Sequence, residues 1–96
     1  MFGLFKKTDF KALKQQGAVV VDVRTKGEYS SGNIKGSRNI PLDNFESQID
    51  TLKNLNKPII TCCASGMRSG VAKNMLKKHG VEAYNGGGYM TLENKL

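Results

Sequence analysis

Apolar residues along the chain follow two different periods. Ala18-Val19-Val20-Val21-Asp22-Val23 is a continuous apolar run broken by one acid, and Ile59-Ile60-Thr61-Cys62, opened by Pro58, is a second. Short unbroken runs rich in β-branched residues mark strands covered on both faces, the condition of a central parallel strand. Around them the spacing turns helical. Phe10 and Leu13 share one face of a predicted helix over residues 9–16, capped by Thr8, stopped by Gly17, and turning Lys11 and Lys14 to water. Thr25 and Glu28 have the spacing of a capping box for a short helix that carries Tyr29 and ends near Gly32. Asp43, with Glu46 three residues on, starts a helix whose buried face is Phe45, Ile49 and Leu52, followed by a loop over residues 54–57. Val71, Ala72, Met75 and Leu76 repeat at helical spacing, and Lys77, Lys78, His79 and Gly80 form a good helix end.

Three weaker strands complete the pattern. One contains Ile40 and is stopped by Pro41; another covers residues 81–84; a third, over residues 2–6, is short enough to be an edge strand. Gly86-Gly87-Gly88 reads as a turn into a last helix over residues 89–95, with Leu92 and Leu96 inward. Strands alternating with helices predict an α/β fold, a parallel sheet with helices on both faces, in one domain spanning residues 1–96. In such sheets the binding crevice lies at the carboxyl ends of the strands, where Asp22 and Cys63 both fall.

Composition narrows the function. The net charge of +7 admits a phosphate-binding surface. The cations are dispersed and mostly lysine, however, with Arg24, Arg38 and Arg68 the only arginines and few aromatics between them. A solvated surface that draws small anions is expected, with no nucleic-acid partner. Two adjacent cysteines form no disulfide framework, and a bridge between neighbours strains the peptide, so both thiols are expected to be reduced. The amino-terminal residues lack a signal-peptide pattern and no segment approaches a membrane span. A cytoplasmic monomer without membrane contact follows as the expectation.

The chemistry concentrates in Cys62-Cys63-Ala64-Ser65-Gly66-Met67-Arg68-Ser69. A strand that ends in a thiol and passes through a small-residue loop into a helix presents backbone N–H groups and a helix dipole to one point. A thiol there ionises readily, and the thiolate is the nucleophile. Backbone N–H groups from Ala64 to Ser69 would hold the anion, Gly66 would permit the bend, and Ala64 and Ser65 would keep the rim open. Arg68 would add charge for an oxyanion or lock the loop through its own carbonyls. Counted from Cys62, the spacing C-x5-R-S is that of tyrosine phosphatases and arsenate reductases; counted from Cys63, the loop is one residue shorter and fits a single sulfur atom. In the shorter register Cys62 is the strand's last buried residue, facing away from Cys63. Asp22 and Arg24 read as a structural pair supporting the site, Glu28 as a helix cap or partner of Arg24, and His79 as a group favouring a helix end. Met67 reads as an exposed rim contact, whereas Met75 belongs to the core and Met90 packs.

Several segments together resemble the rhodanese family over nearly the whole chain. Val21-Asp22-Val23-Arg24 with Glu28-Tyr29 is similar to its first signature, and Gly32-Asn33-Ile34-Lys35-Gly36-Ser37-Arg38-Asn39-Ile40-Pro41 to its second, with Asn33 and Lys35 where His and Pro are common. Cys63-Ala64-Ser65-Gly66-Met67-Arg68-Ser69 resembles the active-site loop, and Gly86-Gly87-Gly88 the segment before the last helix, where Tyr89 replaces a frequent Trp. The resemblance implies a three-layer α/β/α sandwich with a four- to five-stranded parallel sheet and no metal or cofactor. It implies Cys63 as the catalytic residue, carrying a persulfide, with Ala64, Ser65, Gly66, Met67, Arg68 and Ser69 around the substrate. Sulfane sulfur would pass from a small anionic donor such as thiosulfate to a thiol or cyanide, with a sulfur-relay protein as a further candidate partner. A Cys62-dependent phosphatase or arsenate reductase, and a non-catalytic rhodanese-like interaction module, are the alternatives.

Overall fold

A computed structural model describes residues 7–96. The expected strand over residues 2–6 lies outside that range. Four parallel strands form one sheet in the order β2-β1-β3-β4: β1 is Val19–Asp22, β2 Arg38–Asn39, β3 Ile59–Cys63 and β4 Ala83–Gly88. Strand alternation divides the side chains of the two central strands between two layers. Val21, Val23, Ile59 and Cys63 face one, with Phe45, Ile49, Leu52, Ala72 and Leu76; Val20, Ile60 and Cys62 face the other, with Leu13 and Leu92. The second layer is built by α1 (Phe10–Gln15) and α5 (Tyr89–Glu93), the first by α3 (Ile49–Lys53) and α4 (Met67–Lys78). This is the expected three-layer α/β/α sandwich.

The elements match the pattern with local differences: β2 ends at Asn39, before Ile40, β4 begins at Ala83 rather than at residue 81, and Met90, expected to pack, is exposed. The first helix is capped by Asp9 rather than Thr8, because the Asp9 carboxylate accepts the Ala12 N–H at 3.0 Å. The helix expected from Asp43 is instead two 3₁₀ turns, Leu42–Asn44 and Glu46–Gln48, that lead into α3. Here the Ser47 hydroxyl donates to the Asn44 carbonyl at 2.9 Å, a local bond that competes with α-helical pairing. Phe45, Ile49 and Leu52 are still fully buried, so the apolar spacing was satisfied by a tighter backbone. The glycines at 86–88 are not a turn but the end of β4, and α5 stops at Glu93, short of Lys95. A Cβ on Gly86 would lie 2.9 Å from the Thr61 carbonyl oxygen and 2.7 Å from Leu92, so its glycine lets β4 run against β3 beneath α5. One extra residue on β4 between the pairs Thr61–Asn85 and Cys63–Gly88 makes a bulge beside the cysteine.

The carboxyl end of β1 is closed by a buried ion pair. Asp22 is fully enclosed, and the Arg24 guanidinium reaches its two oxygens at 2.8–3.0 Å. The Arg24 backbone N–H donates to the same carboxylate at 2.9 Å. Arg24 continues to the Gly32 carbonyl at 2.6 Å and the Glu28 carbonyl at 3.2 Å, and stacks on the Tyr89 ring at 3.8 Å. It thereby fastens α2 (Lys26–Ser31), which is capped by a complete Thr25–Glu28 capping box, to the sheet and to α5. Removing one member of such a pair strands a buried charge, at about 3–5 kcal/mol. Arg24→Ala is expected to lower Tm by more than ~10 °C, measured by circular dichroism; a change of a degree or two would deny the pair this role.

Candidate active site

β3 ends at Cys63 and α4 begins at Met67, so three residues carry the chain from strand to helix. Gly66 makes that short passage possible: its φ of 103° lies in the left-handed region, and a Cβ there would stand 3.3 Å from the Gly87 Cα. The bend folds the loop back over the sulfur. Gly66 N–H donates to Cys63 Sγ at 3.0 Å, and the Ser69 hydroxyl lies 3.3 Å from it. Cys63 itself has 0% exposure, while Ala64, Ser65 and Met67 form an open rim, Met67 at 80%.

Two opposing effects fix the thiol's acidity. Burial, the largest, disfavours the anion; against it act the Ser69 hydroxyl and the backbone N–H groups of Ser69, Gly66 and Ser65. The donors together prevail, and the Cys63 thiol sits below its ordinary value. Cys62, one residue away, faces the opposite layer. There burial, with the Asp22 charge behind it, pushes its thiol up to about 12. Adjacent cysteines thus have opposite character because strand alternation turns one to a set of donors and the other to the core.

Arg68 does not lock the loop through its own carbonyls. Its guanidinium spans the Glu28 carboxylate, at 2.7 Å and 3.0 Å to the two oxygens, and bonds none of its own loop's carbonyls. The reason is α2: the capping box fixes Glu28, whose Oε1 also accepts the Thr25 N–H at 3.0 Å, in front of α4. Glu28 is therefore a helix cap and the partner of Arg68, while Arg24 meets only its main-chain carbonyl. A cleft of about 90 Å³ lined by Val23, Thr25, Pro41, Leu42, Asp43 and Arg68 opens beside this pair. Larger hollows lie away from Cys63, at the amino ends of β3 and β4 and along α1.

Two residues of the site have no counterpart in the sequence reading. Thr61, fully buried, donates its hydroxyl to the Ser69 carbonyl at 2.8 Å and so ties β3 to the first turn of α4. Asn85 of β4 accepts from the Ser69 hydroxyl at 2.7 Å and donates to the Gly66 carbonyl at 3.0 Å. Thr61 is counted within an apolar run and Asn85 lies outside one, so the apolar period marks neither as part of the site. The available signals were a polar residue inside a buried strand run and an amide side chain directly before a glycine run.

The acidities are testable. With a limiting alkylating reagent on the folded protein, peptide mapping is expected to find label on Cys63 and not on Cys62, with Cys62 reacting only after unfolding; equal labelling would contradict the asymmetry. Glu28 is held at about 2 against an ordinary 4.5, chiefly by its bonds to Arg68 and then by the Thr25 N–H. A carboxylate lowered on folding stabilises the fold above pH 4.5, and that contribution is lost as pH falls through 2. Glu28→Gln is expected to melt below the parent chain at neutral pH, with the difference closing near pH 2; a constant gap would show that the charge is not responsible.

Known proteins are similar to this chain in sequence and fold. The chain matches the rhodanese-like domain family over residues 6–91. It is 38% identical over 69 residues to the uncharacterized protein YqhL of Bacillus subtilis, covering 71% of this chain and 54% of that one. It is 36% identical over 70 residues to the thiosulfate sulfurtransferase GlpE of Pseudomonas fluorescens, covering 73% and 63%. The chain thus spans between half and two thirds of the length of these curated relatives. Among solved structures, a rhodanese with anions from E. coli superposes with a TM-score of 0.71 at 30% identity, over 78% of this chain and 91% of that one. A parallel sheet with helices on both faces, a cysteine enclosed at the end of its central strand and this family match together lead to one conclusion: the chain belongs to the rhodanese-like domain family.

Proposed function

We infer that the protein is a rhodanese-type sulfurtransferase that carries sulfane sulfur on Cys63. The observation that carries the reading is the enclosed Cys63 sulfur, with the Gly66 N–H directed at it and the Ser69 hydroxyl oxygen 3.3 Å away, in a loop of only four residues before Arg68. Relatives named thiosulfate sulfurtransferase support the class of reaction, and thiosulfate is the donor proposed.

Cys63 thiolate attacks the outer sulfur of thiosulfate. A new S–S bond forms, the S–S bond of the donor breaks, and sulfite leaves with its electron pair. The backbone donors that favour the thiolate are fixed before the reaction and serve the anionic outer sulfur in turn. A thiol or cyanide then attacks that outer sulfur, and the Cys63 thiolate returns as the leaving group. The net positive charge favours approach of an anionic donor. Arg68, held by Glu28, sets the field at the rim without being committed to the loop. Exposed Met67 offers an apolar contact for a sulfur-relay protein as acceptor.

A phosphatase or arsenate reductase working through Cys62 is disfavoured by the same geometry, because that thiol faces the opposite layer and is held protonated. A purely non-catalytic module does not account for a cysteine kept acidic by four donors.

Incubation with thiosulfate is expected to add the mass of one sulfur atom to the intact protein, and cyanide to remove it. Cys63→Ser should abolish loading and Cys62→Ser should leave it within about twofold of the parent, because Cys62 lies outside the loop. Sulfur loading that survives Cys63→Ser would overturn the assignment.

A further inference from the structure

Asn85 is exposed, yet its amide is held in one orientation. Its Oδ1 accepts the Gly87 N–H at 2.9 Å, and its Nδ2 donates to the Gly66 carbonyl at 3.0 Å. The Gly87 N–H can only donate and the Gly66 carbonyl can only accept, so a flipped amide would lose both bonds. The oxygen therefore faces Ser69, whose hydroxyl is 2.7 Å away. Ser69 is fully buried and owns one hydroxyl proton, and two acceptors stand within its reach: Asn85 Oδ1 and, at 3.3 Å, Cys63 Sγ.

These three groups cannot be satisfied in the same way in both charge states of the cysteine. When Cys63 is a neutral thiol, its S–H can donate to the Ser69 oxygen while the Ser69 hydroxyl donates to Asn85. When Cys63 is an anion it has no proton to give and becomes an acceptor, so one hydroxyl proton faces two acceptors. A charged acceptor makes the stronger bond.

We propose that Asn85 is a positioning residue for sulfur release: it holds the Ser69 hydroxyl proton while the cysteine sulfur is neutral, and the hydroxyl turns from Asn85 to Cys63 as that sulfur becomes an anion. The proposal rests on the reading of Cys63 as the sulfur carrier. In the release step the acceptor's electron pair forms a bond to the outer sulfur, the Cys63 S–S bond breaks, and its electron pair remains on Sγ. Rotation about the Ser69 C–O bond then places a donor on the new anion without moving a proton between heavy atoms. Asn85 is not left unpaired, because the Gly87 N–H stays on its oxygen.

Among the described residues, the other charged and titratable groups near the sulfur are engaged elsewhere. Arg68 of α4 is spanned by Glu28 of α2, Asp22 and Arg24 at the end of β1 bond one another, and Cys62 of β3 faces the other layer. From β4, Asn85 and glycines approach the loop, while the Tyr84 hydroxyl is engaged with Glu82.

The test is a double-mutant cycle read by the ultraviolet absorbance of the thiolate against pH, in a Cys62→Ser background that leaves one thiol. Ser69→Ala is expected to raise the titration midpoint by roughly half a pH unit or more, since the anion loses a donor. Asn85→Leu is expected to lower it by a similar amount, since the hydroxyl loses its competing acceptor. With Ala at position 69, Asn85→Leu is expected to give no lowering, because only its bonds to the Gly66 carbonyl and the Gly87 N–H remain to be lost. A rise on Asn85→Leu with Ser69 present, or equal shifts in both backgrounds, would overturn the proposal. Should the leucine variant fail to melt cooperatively, Asn85→Asp keeps the acceptor and is expected to raise the midpoint more with Ser69 present than with Ala; equal rises would overturn it. The titration needs no sulfur donor. A coupled cycle without thiosulfate loading would therefore overturn the sulfur-carrier reading and leave the hydroxyl switch, and normal loading with an uncoupled cycle would do the reverse.

Discussion

A carboxylate with no solvent exposure at the end of a central strand is the constraint on which the working edge of this molecule depends. Asp22 cannot stay charged there without a cation, and Arg24 supplies it from two residues away, where the chain has just left the sheet. Once the guanidinium is committed to Asp22, its remaining N–H groups have fixed directions, and they meet the Gly32 and Glu28 carbonyls. That places α2, and α2 places the Glu28 carboxylate in front of Arg68. The position of a loop residue on α4 is thus set, through two carboxylates and two guanidinium groups, by the end of β1. Tyr89, stacked on Arg24, brings α5 under the same control.

At the cysteine the balance is of another kind. Among the described residues, the cations near Cys63 are engaged with carboxylates, Arg24 with Asp22 and Arg68 with Glu28. The charge of Cys63 is supported by dipoles, whose positions follow from a left-handed glycine and the first turn of a helix. The backbone N–H groups of this set need no reorganisation when a charge appears on the sulfur, and the Ser69 hydroxyl needs only a rotation about its C–O bond. They are also numerous enough to outweigh an enclosed position that would make an isolated thiol less acidic, as it does for Cys62.

Much of this was legible in the chain. Unbroken apolar runs located β1 and β3, the Thr25–Glu28 spacing located α2, and the small-residue run after Cys63 located the loop, because each is a local pattern with a local cause. What was not legible depends on distance. Nothing near Glu28 in sequence says that it meets Arg68, forty residues on. Asn85 looks like an ordinary residue before a glycine turn until β4 is laid beside β3. The glycines at 86–88 suggested a turn because glycine favours turns, whereas tight packing against Thr61 and Leu92 required glycine within a strand. The Asp43 segment kept its apolar period and lost its α-helical backbone, since burial constrains which side chains face inward more than it constrains the path between them.

The two cysteines, placed back to back on β3, carry a consequence for oxidative damage. A sulfenic acid on a reactive cysteine is commonly rescued by a second thiol that condenses with it. Cys62 is adjacent in sequence and turned into the opposite apolar layer, with its thiol kept protonated, and a bond between neighbours would have to break a strand paired on both sides. The chain has no third cysteine. An oxidised Cys63 therefore finds no resolving thiol among these 96 residues, and a thiol that reached it would enter past the exposed rim of Ala64, Ser65 and Met67.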